Sequence, residues 1–278
     1  MIGKGVFGMS LSIQGKTAIV TGAANGIGLA IARHFSDLGA NVVFTDRDEE
    51  RLFDECGASD DERAPNIRAF AGDLSEKLTV ANLISATIDA FDRVDILVNA
   101  CRQIIPTDPF DPADTSIEQM LQQNLFTSLR LSQAVAKKMI AQAEGDDRDD
   151  ETRGAIVNIS NIAAMRSHPD LMGYSVSLAA LEQSTRSLAL SLAPNRIRVN
   201  AVSFGSVMSA SLQAGLAEDE LKRKDIQSHT PLGRIASARE VAGAAQFFAS
   251  DGAGFVTGQV LCVDGGRSLL DPVGVPLH

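Results

Sequence analysis

Short β-type runs alternate with amphipathic stretches from residue 16 to residue 263, and this alternation constrains the fold more than any other feature. The runs cover 17–21, 41–45, 66–71, 94–98, 155–159, 198–202 and 259–263. Between them, helical spacing of apolar residues predicts helices over 27–38, 49–56, 76–91, 116–142, 171–192 and 239–250. Strand, helix and strand again make βαβ units, whose crossovers keep the strands parallel and bury both faces of the sheet under helices. The expected fold class is therefore α/β, a doubly wound parallel sheet of about seven strands. Two helix starts carry capping-box patterns, Thr115 with Glu118 and Ser237 with Glu240.

Length and composition narrow the classes. With 278 residues and 45% hydrophobic content, the chain can bury a sizeable core. No linker or internal repeat interrupts the pattern, so residues 13–278 read as a single domain and 1–12 as a flexible N-terminal extension. Acid-rich stretches at 48–62 and 144–151 read as solvated loops. A net charge of −10 and a pI near 4.9 argue against nucleic acid or an anionic membrane as partner, because phosphates would be repelled. Three cysteines without CxxC or Cys/His spacing suggest neither a disulfide framework nor a metal site. Without an apolar run long enough to span a membrane or a signal-peptide pattern, a cytoplasmic location is expected.

The first strand runs into Gly22-Ala-Ala-Asn25-Gly26-Ile27-Gly28, which opens a helix. Glycines there let the backbone turn tightly and approach a pyrophosphate, and the helix N-terminus presents free N–H groups to the anion. The second strand ends at Asp46, eighteen residues beyond Gly28. A carboxylate in that place accepts hydrogen bonds from ribose hydroxyls and repels a 2′-phosphate, so NAD is expected over NADP. Arg47 is a competing signal, since it offsets part of that repulsion.

These residues resemble the TGxxxGIG element of the short-chain dehydrogenase/reductase family, which has a Rossmann fold. The likeness continues through Gly72-Asp73-Leu74, Asp95 to Asn99, Asn124, Ile156 to Ser160, Tyr174, Ile197 to Val202 and Val263 to Gly266. It implies that Asp73 and Leu74 hold the adenine, that Asn99 sits beside the cofactor, and that Gly205 and Val207 face the nicotinamide. It also implies that Tyr174 moves the proton, Asn161 stands where a serine orients the substrate oxygen, and Asn124 anchors a water relay. A segment over about 203–231 would form the substrate lid, and a dimer or homotetramer would assemble through the long helices.

The departures are as informative as the matches. Where the family has lysine four residues after the tyrosine, this chain has Leu178. Asn161 replaces the serine, with Ser160 displaced by one. Ala100-Cys101-Arg102 replaces the usual Asn-Ala-Gly, and Phe204 replaces a proline. A phenol titrates near pH 10 unaided, far above the pH at which a proton shuttle works well. Leucine supplies no charge to close that gap. Arg102 substitutes for the missing cation, obstructs the cleft or points to solvent; Arg166 and His168 lie near the substrate position. Three functions follow: an NAD-dependent alcohol/ketone oxidoreductase with atypical proton transfer, acting on a small molecule; a silent NAD-binding subunit or sensor, partnered with an active paralogue; or a non-redox lyase or isomerase in the same pocket.

Overall fold

The computed structural model describes residues 10–56, 64–143, 152–208, 212 and 220–271. Seven parallel strands form one sheet: β1 (Thr17–Thr21), β2 (Asn41–Asp46), β3 (Ile67–Ala71), β4 (Ile96–Asn99), β5 (Gly154–Asn161), β6 (Ile197–Phe204) and β7 (Val260–Val263). Their order is β3-β2-β1-β4-β5-β6-β7. The chain runs outward from β1 to β3, returns to pair β4 with β1, and then runs outward the other way. That reversal opens a crevice at the carboxyl ends of β1 and β4, where sheets of this topology bind ligands.

Alternation along β1 assigns its side chains to two cores. Ala18 and Val20 pack with Phe44, Val98 and Val157 on one face, against α1 (Gly26–Asp37) and, at the far side, α8 (Ala238–Ala249). Ile19 packs with Val43, Leu97 and Ile156 on the other, against α3 (Lys77–Phe91), α5 (Thr127–Ala143) and α6 (Met172–Leu192). The short α2 (Glu49–Cys56) and α4 (Ser116–Met120) complete the expected helices.

Some local features differ from the sequence expectation. The long helix expected over 116–142 is broken by a π-helical turn, Leu121–Phe126, between α4 and α5. Thr115 does not cap α4: its backbone lies at φ −101° and ψ 11°, away from the extended form a capping side chain requires. The neighbouring Asp114 takes the Ser116 N–H at 2.6 Å, while Gln119 occupies the Thr115 hydroxyl at 2.8 Å. At α8 the other pattern does engage, with Glu240 accepting the Ser237 N–H at 2.8 Å. An unexpected helix, α7 (Glu220–Ser228), lies within the proposed lid. Of that lid, 209–211 and 213–219 lie outside the described residues, as do 1–9 of the N-terminal extension and the acid-rich 57–63 and 144–151.

Candidate active site

Gly22, at φ +67°, begins the turn from β1 into α1. A Cβ on Gly28 would lie 2.1 Å from the Gly22 carbonyl oxygen, and one on Gly22 would lie 2.9 Å from the Cys101 Cα. Only bare backbone fits between the turn, the helix start and the segment after β4. Gly26, at φ +59°, has open space where its Cβ would be, so the outer side of the turn is clear for a ligand. Gly22, Asn25, Gly26, Ile27, Gly28 and Asp46 border one cavity of about 340 Å³, completed by Arg47, Asp48 and residues 100–104 with Gln123.

Asp46 is fixed by backbone donors. Its Oδ2 accepts the Ala24 N–H at 3.1 Å and its Oδ1 accepts the Asp48 N–H at 3.1 Å. The carboxylate is therefore tied to the glycine turn from the end of β2. Asp73 is exposed and lies outside that lining; bonds from Ser75 hold its carboxyl below the usual range, and Arg47 adds to the effect. Leu74 turns into the core beneath α3.

Asn99 ends β4, one residue before Ala100 of the cavity lining. Its Nδ2 donates to Ser132 at 2.9 Å and to Asn158 at 2.8 Å, while its buried Oδ1 has no partner. An unpartnered buried carbonyl beside a ligand cavity is the kind of group a bound molecule satisfies. The tight turn, the open Gly26, the anchored Asp46 and this oxygen together fit a dinucleotide.

The expected proton-transfer residues gather at the start of α6. Asn124, carried by the π-helical turn, accepts the Gln103 N–H at 2.7 Å and donates to the Ser177 hydroxyl at 3.0 Å. Ser177 in turn donates to the Tyr174 carbonyl at 2.9 Å. Tyr174 is 2% exposed, and its hydroxyl has no hydrogen-bond partner. It packs with Met120, Ala163, Leu178 and Leu181. Burial pushes its phenol above the usual range, and the Arg102 charge opposes that rise. Leu178 is fully buried in the same cluster.

Asn161 ends β5, where its Oδ1 accepts the Ala163 N–H at 2.9 Å and its Nδ2 reaches the Gly205 carbonyl at 3.4 Å. One amide hydrogen remains for a ligand. Ser160 cannot replace it: successive strand residues face opposite ways, and its hydroxyl donates to buried Glu182 at 2.8 Å. Glu182 carries no sequence signal, since only the packing of α6 on β5 brings the pair together.

Asn161 and Gly205 border a second cavity of about 770 Å³, with Arg166, His168, His229 and Arg267 among its lining. Arg166 is bonded to the Ser268 carbonyl, and His168 Nδ1 accepts the Asp170 N–H at 3.3 Å. Val207 does not reach this cavity; it is buried and bridges to Ala236. Between the two cavities, the Arg102 guanidinium lies 4.4 Å above the centroid of the Phe204 ring. Both residues are departures from the resembled pattern, and nothing in the sequence links them. Among the described residues no cluster of histidine, cysteine and carboxylates could hold a metal, and no helix is long and apolar enough to cross a membrane.

Sheet order, glycine turn and anchored acidic residue define an NAD(P)-binding Rossmann fold of the oxidoreductase type. The chain belongs to the short-chain dehydrogenase/reductase family: the family model described as enoyl-(acyl carrier protein) reductase matches residues 22–268. It is 32% identical over 259 residues to the 7alpha-hydroxysteroid dehydrogenase of Escherichia coli (strain K12), covering 92% of this chain and 96% of that one. It is 31% identical over 256 residues to the L-rhamnose 1-dehydrogenase (NAD(P)(+)) of Sphingomonas sp. (strain SKA58), covering 91% and 96%. A solved structure described as a short-chain alcohol dehydrogenase, from Sinorhizobium meliloti 1021, superposes with a TM-score of 0.83 at 29% identity, over 94% of this chain and 99% of the other.

Proposed function

We propose that this protein is an NAD-dependent oxidoreductase that interconverts an alcohol and a ketone on a small molecule, with atypical proton transfer. The observation that carries the cofactor preference is the Asp46 carboxylate, bonded to the Ala24 N–H on the rim of the glycine-lined cavity. Gly22, Asn25, Gly26, Ile27 and Gly28 would cradle the pyrophosphate, Asp46 the adenosine ribose, Asp73 and the Leu74 backbone the adenine side, and Asn99, Gly205 and the Val207 backbone the nicotinamide side. When bound, NAD supplies the hydride acceptor. Tyr174 exchanges the proton at the substrate oxygen, Asn161 donates its free amide hydrogen to that oxygen, and Asn124 links the segment after β4 to α6.

The substrates named for the relatives range from a steroid to a sugar, and the larger cavity, of about 770 Å³, has room for either size. Cytoplasmic location and assembly as a dimer or tetramer belong to the same reading, which the exposed Leu190, Phe255 and Leu269 suit. The silent-subunit reading draws on a specific observation, the enclosed and unpartnered Tyr174 hydroxyl. One experiment separates the two. NADH and NADPH are titrated into the protein by cofactor fluorescence, and NAD reduction is then followed over a panel of secondary alcohols. Tight NADH binding, weak NADPH binding and turnover of any alcohol support the oxidoreductase; binding without turnover supports the silent subunit.

A further inference from the structure

Tyr174 poses a physical problem that its own surroundings do not solve. Its hydroxyl is buried without a partner, among Met120, Ala163, Leu178 and Leu181. A phenol that gives up a proton there leaves a phenolate in an apolar pocket, which is costly unless a cation stands nearby. The helix that carries Tyr174 offers none at the next turn, because Leu178 occupies it.

Among the described residues the charged groups around the site are few; on the larger cavity, Arg267 donates to the Ser206 hydroxyl at 2.6 Å and His229 Nδ1 lies 2.9 Å from the Asp225 carbonyl. On α6, Glu182 is two turns away and accepts from Ser160. In the loop before α6, Arg166 is spent on the Ser268 carbonyl, and the exposed His168 accepts the Asp170 N–H through Nδ1 at 3.3 Å. α4 and the π-helical turn contribute uncharged Met120 and Asn124. From the segment after β4 comes Arg102, whose guanidinium crosses the top of β5 to rest 4.4 Å above the Phe204 ring at the end of β6. Phe204 is opposite Asn161 in the β5–β6 register, so the ring holds the guanidinium over the same strand ends that present Asn161.

We propose that Arg102, clamped on Phe204, is the cation of the proton-transfer step, steadying the Tyr174 phenolate. This rests on the oxidoreductase reading above. In the reducing direction the substrate carbonyl carbon gains a hydride from reduced nicotinamide dinucleotide, its oxygen gains the Tyr174 proton, and the phenolate recovers a proton from solvent. Arg102 acts through Tyr174 and is a positioning residue. The direction of its effect on the phenol, opposing the rise due to burial, agrees with this role. The ring under the guanidinium fixes its position at little entropic cost.

The sequence makes the test direct, because the chain holds one tyrosine and no tryptophan. Tyrosinate absorbance in the near ultraviolet therefore reports Tyr174 alone. Titrating the full chain, Arg102→Met should raise the phenol pKa by about one unit, the size of effect one half-buried charge exerts over several ångströms. Arg102→Lys should restore the wild-type value, and Arg102→Gln, neutral but planar, repeats the Arg102→Met result if methionine disturbs the fold. Equal titrations in all the variants, or a phenol that stays protonated in each up to alkaline unfolding, overturn the proposal. A shift that lysine does not reverse also overturns it, since packing rather than charge is then responsible. The pH profile of kcat should move with the titration. A phenol that follows Arg102 in a protein that turns over no alcohol sinks the oxidoreductase reading and, with it, the proton-transfer role; turnover with an unresponsive phenol sinks the role of Arg102 alone.

Discussion

Gly28 faces the Gly22 carbonyl so closely that a methyl group there would sit 2.1 Å from the oxygen and 2.6 Å from its carbon. Both atoms belong to backbone, so neither can swing aside. Gly28→Ala should displace the turn, cost about 1–3 kcal/mol, and abolish NADH binding. Thermal melting and a fluorescence titration of the same sample check both effects. Unchanged NADH affinity would mean that the dinucleotide binds elsewhere.

Asp46 serves two ends at once, holding the turn through Ala24 and setting cofactor preference. Asp46→Asn keeps an acceptor oxygen but removes the charge that repels a 2′-phosphate. NADH affinity should fall about tenfold, the loss of one charge-assisted hydrogen bond, while NADPH affinity rises. Isothermal titration with both cofactors tests this, and a parallel fall for the two would assign discrimination to Arg47 instead.

Tyr174→Phe should separate activity from stability. Turnover should fall by about 10²–10⁴, the usual worth of a positioned acid/base. Stability should rise by about 1 kcal/mol, because an unpartnered buried hydroxyl is removed. The pH dependence has a definite sign. The folded phenol titrates above its ordinary value of 10.0, so the native state keeps its full stability below that pH and loses it as pH rises further and the unfolded chain ionises first. Phenylalanine makes that alkaline limb shallower, with the burial-raised Cys56 thiol keeping part of it, and urea unfolding at graded pH would show the difference.

Much of this architecture was legible in the chain. β1, β2 and the other strands read correctly because their apolar runs are short, dense and bounded by turn residues. The helix Glu220–Ser228 escaped notice because its sequence, Glu-Leu-Lys-Arg-Lys-Asp-Ile-Gln-Ser, has no apolar stripe and buries no side chain. The glycines and Asp46 could be singled out because they follow the first and second strands, and the structure brings them to one cavity. Arg102 and Phe204 stood out individually as misfits, but their contact spans residues about a hundred positions apart and exists only once β4, β5 and β6 are side by side. The enclosure of the Tyr174 hydroxyl is likewise a property of packing, invisible at the level of residue type.

Glu240 provides a test at acid pH. It accepts Arg234 Nη1 at 2.8 Å and the Ser237 N–H at 2.8 Å, which hold its carboxyl down at about 2 against an ordinary 4.5. Its contribution to stability is present above the ordinary value and is lost as pH falls toward the lower one. Exposure of the pair keeps the effect small. Melting curves of Glu240→Gln should be flatter than wild type across that window, and parallel curves would count against the bond to Ser237.

The π-helical turn Leu121–Phe126 places Asn124 by arithmetic rather than by chemistry. A π turn is an α-helix carrying one surplus residue, and each residue of an α-helix advances the face by about 100°. Deleting a single glutamine, Gln122 or Gln123, would let the helix close straight. The flanking helices would keep their faces, because the turn is what absorbs the surplus residue, and the side chains inside it would be re-aimed. The amide that now grips Gln103 and Ser177 would face away, with no functional side chain altered. The position of this group in the cleft is written in a count, and a frame of one residue is all that separates an assembled site from a dismantled one.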